Sequence, residues 1–398
     1  MGVISKEPRF FSCRTGWELE PNTLARALAC RQASGRTVLD LTLSNPTRAE
    51  IIYPAALWHA LAAASWKTYA PTPLGMPSAR AAVQQYYAQR GQSVSADHIV
   101  LTASTSEAYG FLLKLLADPG DQVLVPRPSY PLFGYLGDLE GVRMISYPLR
   151  PVARGWQIDV DRLAACIGPR TRAVVLVSPN NPTGSYVTRI DYDAVERLAL
   201  ECGLALIMDE VFTDYPVDRT VSARTAYPER CPVLRFTLNG LSKSLGLPQV
   251  KLSWMVVDGP EAQRSRALAL LEVIADTYLS VNTGVQQALP ELLAFRAGIQ
   301  RQISERINAN LVRLRRALRG ISQVRLLEPQ GGWSAVLELA AAADEVALAL
   351  LRQDGIRLFP GSFFDFDLDR YLVISLLSPQ AGIWPVLAAG LKATAGRR

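Results

Sequence analysis

Between about residues 98 and 257 the chain alternates short β-rich runs, several of them continuously apolar, with helical stretches. No other feature constrains its fold more. A strand with one wet face alternates apolar and polar residues, whereas a strand covered on both faces is apolar throughout. Strand candidates occur at Ile99–Thr102, Val123–Val125, Val142–Tyr147, Ala173–Val177, Leu204–Met208, Val233–Leu238 and Leu252–Val257, and several, such as Ala173–Val177 and Leu204–Met208, are of the second kind. Ser106–Leu116 reads as a helix, stopped by Asp118-Pro119-Gly120. Strands interleaved with helices predict an α/β fold with a mostly parallel, seven-stranded sheet covered on both sides.

After Pro260 the pattern changes. Long helical periodicities run through Gln263–Ala275 and Arg301–Leu318. Strand-like Trp333–Leu339, Arg357–Phe359 and Tyr371–Leu376 then surround a helix near Val346–Gln353, and a closing helix follows. At 398 residues the chain has room for two domains. The division expected is an N-terminal arm or part of the small domain (1–45), a large domain (46–285) and a smaller α+β domain (286–398).

Three of the apolar runs lead into polar residues of particular chemistry. Asn181 follows Ala173–Val177 within Ser178-Pro179-Asn180-Asn181-Pro182-Thr183-Gly184. Asp209 closes Leu206-Ile207-Met208, and Lys243 follows Val233–Leu238 in Leu241-Ser242-Lys243. An amine, a carboxylate and an amide in this order are what a pyridoxal phosphate (PLP) site needs. The amine forms a Schiff base with the aldehyde. The carboxylate keeps the pyridine nitrogen protonated, and the amide donates to the phenolic oxygen. The lysine, once freed by a substrate, also serves as the base that moves the α proton.

Each residue has a plainer reading when taken alone. The Asn181 loop is equally a rigid structural turn. An aspartate at a strand end costs free energy unless paired, yet it also caps turns. Lys243 is one of six lysines, with Lys6, Lys67, Lys114, Lys251 and Lys392, in a chain that otherwise uses arginine. Its spacing from the other two makes a surface role the weaker reading. Ser104-Thr105-Ser106 opens a helix after a strand, which makes an anion site from N–H groups and hydroxyls, and also an ordinary N-cap. Tyr130, in Pro128-Ser129-Tyr130-Pro131, is placed to stack on a ring or to pack. Trp333, in Gly331-Gly332-Trp333-Ser334, lines the pocket or packs in the core.

Other classes fit less well. Net charge is +6, but the basic residues are scattered, so no nucleic-acid partner is expected. No run of eighteen apolar residues suggests a membrane span, and Met1–Phe11 lacks the apolar segment of a secretory signal. Five separated cysteines without a CxxC pair suit a reducing cytoplasm and offer no metal site. The two histidines, His59 and His98, lack a catalytic setting, which weakens a hydrolase reading. No GxGxxG follows an early strand, and the region before Leu41 is too short for a DNA-binding module.

Together these residues resemble the fold-type I PLP enzymes, specifically the class I/II aminotransferases of the aspartate aminotransferase family, from about Leu41 to Leu391. The resemblance implies Lys243 as the Schiff-base lysine, Asp209 as the pyridine partner and Asn181 as the donor to the phenolic oxygen. It also implies Ser104, Thr105 and Ser106 on the phosphate and Tyr130 on the ring. Tyr69 would reach a phosphate across a homodimer interface. Ser44, Asn45 and Asn181 would face the substrate.

Four positions depart from the family pattern. Lys251 stands where an arginine usually holds the phosphate, keeping the charge but losing the bidentate fork. Phe212 replaces a tyrosine that donates to the phenolic oxygen. Ser44 replaces a substrate-side glycine. Val373 replaces the arginine that grips the substrate α-carboxylate, and Arg370, an odd number of residues upstream, points to the opposite strand face. The carboxylate is then held elsewhere, for instance by Arg14, or the substrate lacks one. The resulting expectation is a cytoplasmic, homodimeric aminotransferase moving an amino group between an amino acid or amine and a keto acid. Elimination, racemisation, cyclisation or oxidation on the same cofactor is the alternative.

Overall fold

The computed structural model describes residues 10–65, 67–69, 71–153, 155–217 and 231–395. Its main sheet runs, in spatial order, through Ile99–Thr102, Ser253–Asp258, Arg235–Gly240, Ala205–Asp209, Thr171–Val177, Gln122–Arg127, Arg143–Pro151 and Trp156–Ile158. The four pairings from Arg235–Gly240 across to Arg143–Pro151 are parallel, and those at the two edges are antiparallel. Seven strands lie at the expected apolar runs. The eighth, Trp156–Ile158, was missed because three residues are too few to show a period. It folds back antiparallel on Arg143–Pro151 and buries Trp156 and Ile158.

Continuous apolarity in the central strands has the physical cause anticipated. Val175, Val177, Ala205, Ile207 and Leu238 pack on one side with helix Thr105–Leu116, while Val174, Leu176, Leu206 and Met208 pack on the other with Arg189–Cys202. Each fully buried aliphatic side chain contributes about 1.5–3 kcal/mol. A polar substitution on either face would forfeit that and bury an unpaired group.

A four-stranded antiparallel sheet, in the order Val324–Leu327, Ser334–Leu339, Tyr371–Ser375 and Phe359–Pro360, forms the smaller unit. Leu372 and Ile374 face the helix-packed core, which also holds Ile303, Ile307 and Leu311 of helix Arg296–Ala317. Tyr371 and Val373 face the opposite way, into a cluster with Trp156, Val336, Phe364 and Phe366. The edge strand of the large sheet is thus packed directly on the small one. Gly355, at φ 72°, ends the helical stretch through Asp354, a conformation a Cβ would strain.

The N-terminal segment contacts both units. Leu39–Asp40 pairs in parallel with Ile356–Arg357, and Arg31 of helix Thr23–Ala33 donates to the carbonyls of Thr37 and Arg352. Nearer the start, Trp17 donates to Asp138 at 2.8 Å and meets Tyr135 edge-on, on helix Leu132–Glu140 beside the large sheet. Among the described residues, no helix is long and apolar enough to cross a membrane.

Candidate active site

Parallel pairing sets the site's frame. Val177, Asp209 and Leu238 occupy one rung of three adjacent strands. Asn181 lies four residues beyond the first, and Lys243 five beyond the third. The C-terminal ends of parallel strands are where open α/β sheets bind ligands.

Asp209 shares a face with Ala205 and Ile207, and so points toward helix Thr105–Leu116. It is 8% exposed. Tyr109 of that helix donates to its Oδ2 at 3.0 Å, and the Val211 amide donates to Oδ1 at 3.2 Å. Burial raises the Asp209 carboxyl above its ordinary range, opposed by these two donors and by the charge of Lys243. An added positive group would complete a half-compensated carboxylate.

Lys243 sits on the short helix Leu241–Ser244. Its Nζ lies 5.3 Å from the Phe212 ring centre and 4.8 Å from that of Trp333. Loss of hydration brings its ammonium down from 10.5 to about 8, with Asp209 pulling the other way. A lysine poised near neutrality is suited to nucleophilic and acid–base work. Tyr215 donates to the Lys243 carbonyl at 2.5 Å, fixing the backbone beneath the side chain.

The Asn181 loop is built by its neighbour. Asn180 donates to the Pro128 carbonyl and accepts from the Thr183 amide and hydroxyl. The Asn181 side chain, half-buried, has no hydrogen-bond partner among the described residues. Gly184 takes φ 69° with the Gly331 carbonyl against it, so no other residue fits.

The bond from Asn180 to Pro128 also places Tyr130 beside this loop. Tyr130 is 41% exposed, and its phenol is raised by burial and by the charge of Asp209. Its ring meets Phe133 edge-on at 6.5 Å. Ser104 is the N-cap of helix Thr105–Leu116, its Oγ accepting from the Glu107 amide at 3.1 Å. The cap is therefore made, and the Thr105 and Ser106 hydroxyls have no hydrogen-bond partner among the described residues.

The remaining candidates are less gathered. Asn45 accepts from the Thr47 amide and hydroxyl, capping the turn Pro46–Arg48, while Ser44 is exposed. The Leu43 carbonyl accepts from Ser375, which pins this segment to the strand of Val373. Lys251 is exposed in a left-handed conformation at φ 58°. Tyr69 is 75% exposed and lines a surface cavity with Thr72, Ser280 and Asn282.

Val373 is 2% exposed within its aromatic cluster. That cluster adjoins the Tyr130 wall, because the Ser129 amide donates to the Phe364 carbonyl at 3.1 Å. Arg370 lies just before strand Tyr371–Ser375, so strand parity does not govern it. It pairs with Glu338 at 3.0 Å and lies 5.4 Å from the Tyr371 ring centre, on the Val373 face and not the opposite one as expected, with its charge engaged by Glu338. Arg14 donates to the Leu139 carbonyl, at the far end of helix Leu132–Glu140 from Tyr130. Among the described residues, no group of three or more His, Cys, Asp or Glu gathers as a metal site. Tyr109, Tyr215 and the apposition of Trp333 to Lys243 were missed by the sequence reading. Only Tyr109 gave a usable signal, one turn after Thr105 on the same helix face.

A family profile described as "Aminotransferase class I and II" matches residues 36–380. The glutamate-pyruvate aminotransferase AlaA of Escherichia coli strain K12 is 28% identical over 312 residues, 76% of each chain. The arginine–pyruvate transaminase AruH of Pseudomonas aeruginosa is 28% identical over 363 residues, 87% of this chain and 86% of its own. An alanine aminotransferase from Pyrococcus furiosus superposes with a TM-score of 0.83 at 23% identity, covering 94% of this chain and 96% of its own, and shares the fold. By the extent of the profile match, the chain belongs to the class I and II aminotransferase family.

Proposed function

We propose that this chain is a PLP-dependent aminotransferase in which Lys243 carries the cofactor and moves the donor's proton. The observation that carries the reading is the enclosure of Lys243 and Asp209 in one site at the ends of adjacent strands, with their proton affinities pushed toward each other. Burial alone would neutralise both groups. A cationic ring nitrogen at Asp209 and a covalent partner at Lys243 relieve both costs.

The residues present fit the group. Asp209 holds the ring-nitrogen proton, supported by Tyr109. Asn181 has an unspent amide for the ring oxygen, and Tyr130 offers a face to the ring. Ser104, Thr105 and Ser106, at the positive end of a 12-residue helix, hold the phosphate, with Lys251 adding charge. The cofactor, when bound, draws off the electrons left on the donor carbon when its proton departs. Lys243 takes that proton as a neutral amine and returns it as an ammonium. Asp209 stays ionised throughout and stabilises the charge that develops. Phe212 adds no donor to the ring oxygen, so Asn181 carries that contact alone.

The working unit is a cytoplasmic homodimer whose second copy supplies Tyr69. Residues 46–285 form its cofactor-binding domain, 286–398 the small domain, and 1–45 an arm or part of the small domain. Exposure of Tyr69, Val273 and Tyr278 on one chain supports an interface there. Borohydride reduction of the PLP-loaded protein, followed by peptide mass analysis, tests the core reading. A pyridoxyl group at Lys243, with amino-group exchange between an added donor and keto acid, is expected. Labelling at another lysine, or product with no amino exchange, would sink it.

A further inference from the structure

Three aromatic side chains form a closed loop around Lys243. Tyr215 donates from its hydroxyl to the Lys243 carbonyl, and its ring meets Trp333 edge-on at 5.1 Å. The Trp333 ring, in turn, lies 4.8 Å from Lys243 Nζ and meets the Phe212 ring at 5.3 Å and 74°. Phe212 closes the loop at 5.3 Å from the same Nζ. Backbone and side chain of one lysine are thus held by a single packed unit.

The Trp333 ring has little freedom. It is 3% exposed. The Gly332 amide donates to the Tyr215 carbonyl at 2.9 Å, and Gly331 donates to the Gly184 carbonyl at 2.9 Å. The Leu376 amide donates to the Trp333 carbonyl at 2.7 Å. The segment is therefore tied to the Asp209 strand's following turn, the Asn181 loop and the small sheet at once. Trp333 Nε1 is buried with no hydrogen-bond partner among the described residues. An indole N–H left unpaired costs stability, so the position is held by its ring contacts and not by a hydrogen bond.

An aromatic face attracts an ammonium through its quadrupole, and a phenyl or indole ring also excludes water. The two effects act oppositely on the lysine proton, and the ring face limits how far dehydration lowers it. We propose that Trp333, buttressed by Tyr215 and Phe212, is a positioning residue for Lys243. Its indole face cradles the amine and supports the ammonium during each half of the reaction. This rests on the assignment of Lys243 as the reactive amine. Asp209 is the charged group that acts on the lysine; Tyr109 is bonded to that carboxylate, Tyr130 feels its charge, and Tyr215 lies beneath the lysine backbone.

The test is the rate at which the full-length chain, dialysed free of cofactor, takes up pyridoxal phosphate covalently between pH 6 and 10. Only the neutral lysine amine attacks, so the midpoint of the rate profile reports its proton affinity. Titrations of the reagent are common to all variants, so differences between variants belong to the protein. Trp333→Leu removes the ring face. Its midpoint should fall by roughly half a unit to one unit, and its plateau rate about tenfold. Phe212→Leu should move the midpoint the same way by less. Trp333→Phe, which keeps a face, should stay within about 0.3 unit of the parent. A midpoint unchanged or raised in Trp333→Leu overturns the proposal, as does failure of Trp333→Phe to restore it. Should the parent chain take up no cofactor at Lys243, the functional reading itself fails instead.

Discussion

The phenol of Tyr109 lies 3.0 Å from Asp209 Oδ2 and is the only side chain among the described residues that donates to this carboxylate. It opposes the upward push of burial on the Asp209 proton. Tyr109→Phe removes that opposition, so the carboxyl rises further and stays protonated to higher pH. PLP affinity should fall about tenfold near neutrality, given about 1.5 kcal/mol for a bond to a charged acceptor. The acid limb of the affinity profile should move up. Fluorescence titration with PLP at several pH values measures both, and an unchanged acid limb would remove Tyr109 from the site.

Lys243 imposes a stability cost in the absence of cofactor. A folded-state proton affinity below the unfolded one gives stability that is full above the unfolded value and lost as pH falls through the folded value. The window here runs from about 10.5 down to about 8. Lys243→Met should therefore stabilise the cofactor-free chain at pH 7 by up to about 3 kcal/mol. The gain should shrink toward zero above about pH 10.5. Urea unfolding at both pH values checks the sign, and an equal gain at both would point to packing instead of charge.

Arg90 holds the turn that follows Asp209. It pairs with Asp214 at 3.2 Å, donates to Thr213 and to Tyr86, and its partner carboxylate is 9% exposed. Arg90→Leu leaves that carboxylate buried without a cation, at a cost of about 3 kcal/mol. Because Phe212 and Tyr215 ride on the same turn, turnover should fall with stability. Thermal melts and steady-state rates on Arg90→Leu and Arg90→Lys would show whether the two losses travel together.

Position 373 faces aromatic rings. Val373→Arg would place a guanidinium among Trp156, Phe364, Phe366 and Tyr371. Burial of an unpaired charge should lower stability by about 3 kcal/mol and impair activity with simple amino acids. Raised activity with such donors, at unchanged melting temperature, would instead mean that the cluster opens to admit a carboxylate there.

Much of this was legible beforehand, for identifiable reasons. The central strands could be read because burial on both faces leaves an apolar run, as in Ala173–Val177. Asn181, Asp209 and Lys243 stood out because a polar residue just past such a run has few structural excuses. Trp156–Ile158 was too short for a period to register. The contacts of Tyr215 and Trp333 depend on loops that meet only in three dimensions, through carbonyls at Tyr215 and Gly184 that have no side-chain signature. Asn45 illustrates the reverse case: its side chain is spent on the Thr47 turn, a local use that pattern alone does not separate from a ligand-facing one.

The shared rung of Val177, Asp209 and Leu238 makes the chemistry a matter of parity. Side chains on a strand change face at every step, so inserting or deleting one residue within Ala205–Asp209 would turn the carboxylate from Tyr109 toward the opposite helices. Two such changes would restore its direction but displace it by about 7 Å along the sheet. An insertion that preserves the site is therefore confined to the connections before and after these strands, and the spacing from Asn181 to Asp209 to Lys243 can stretch only where the chain has already left the rung.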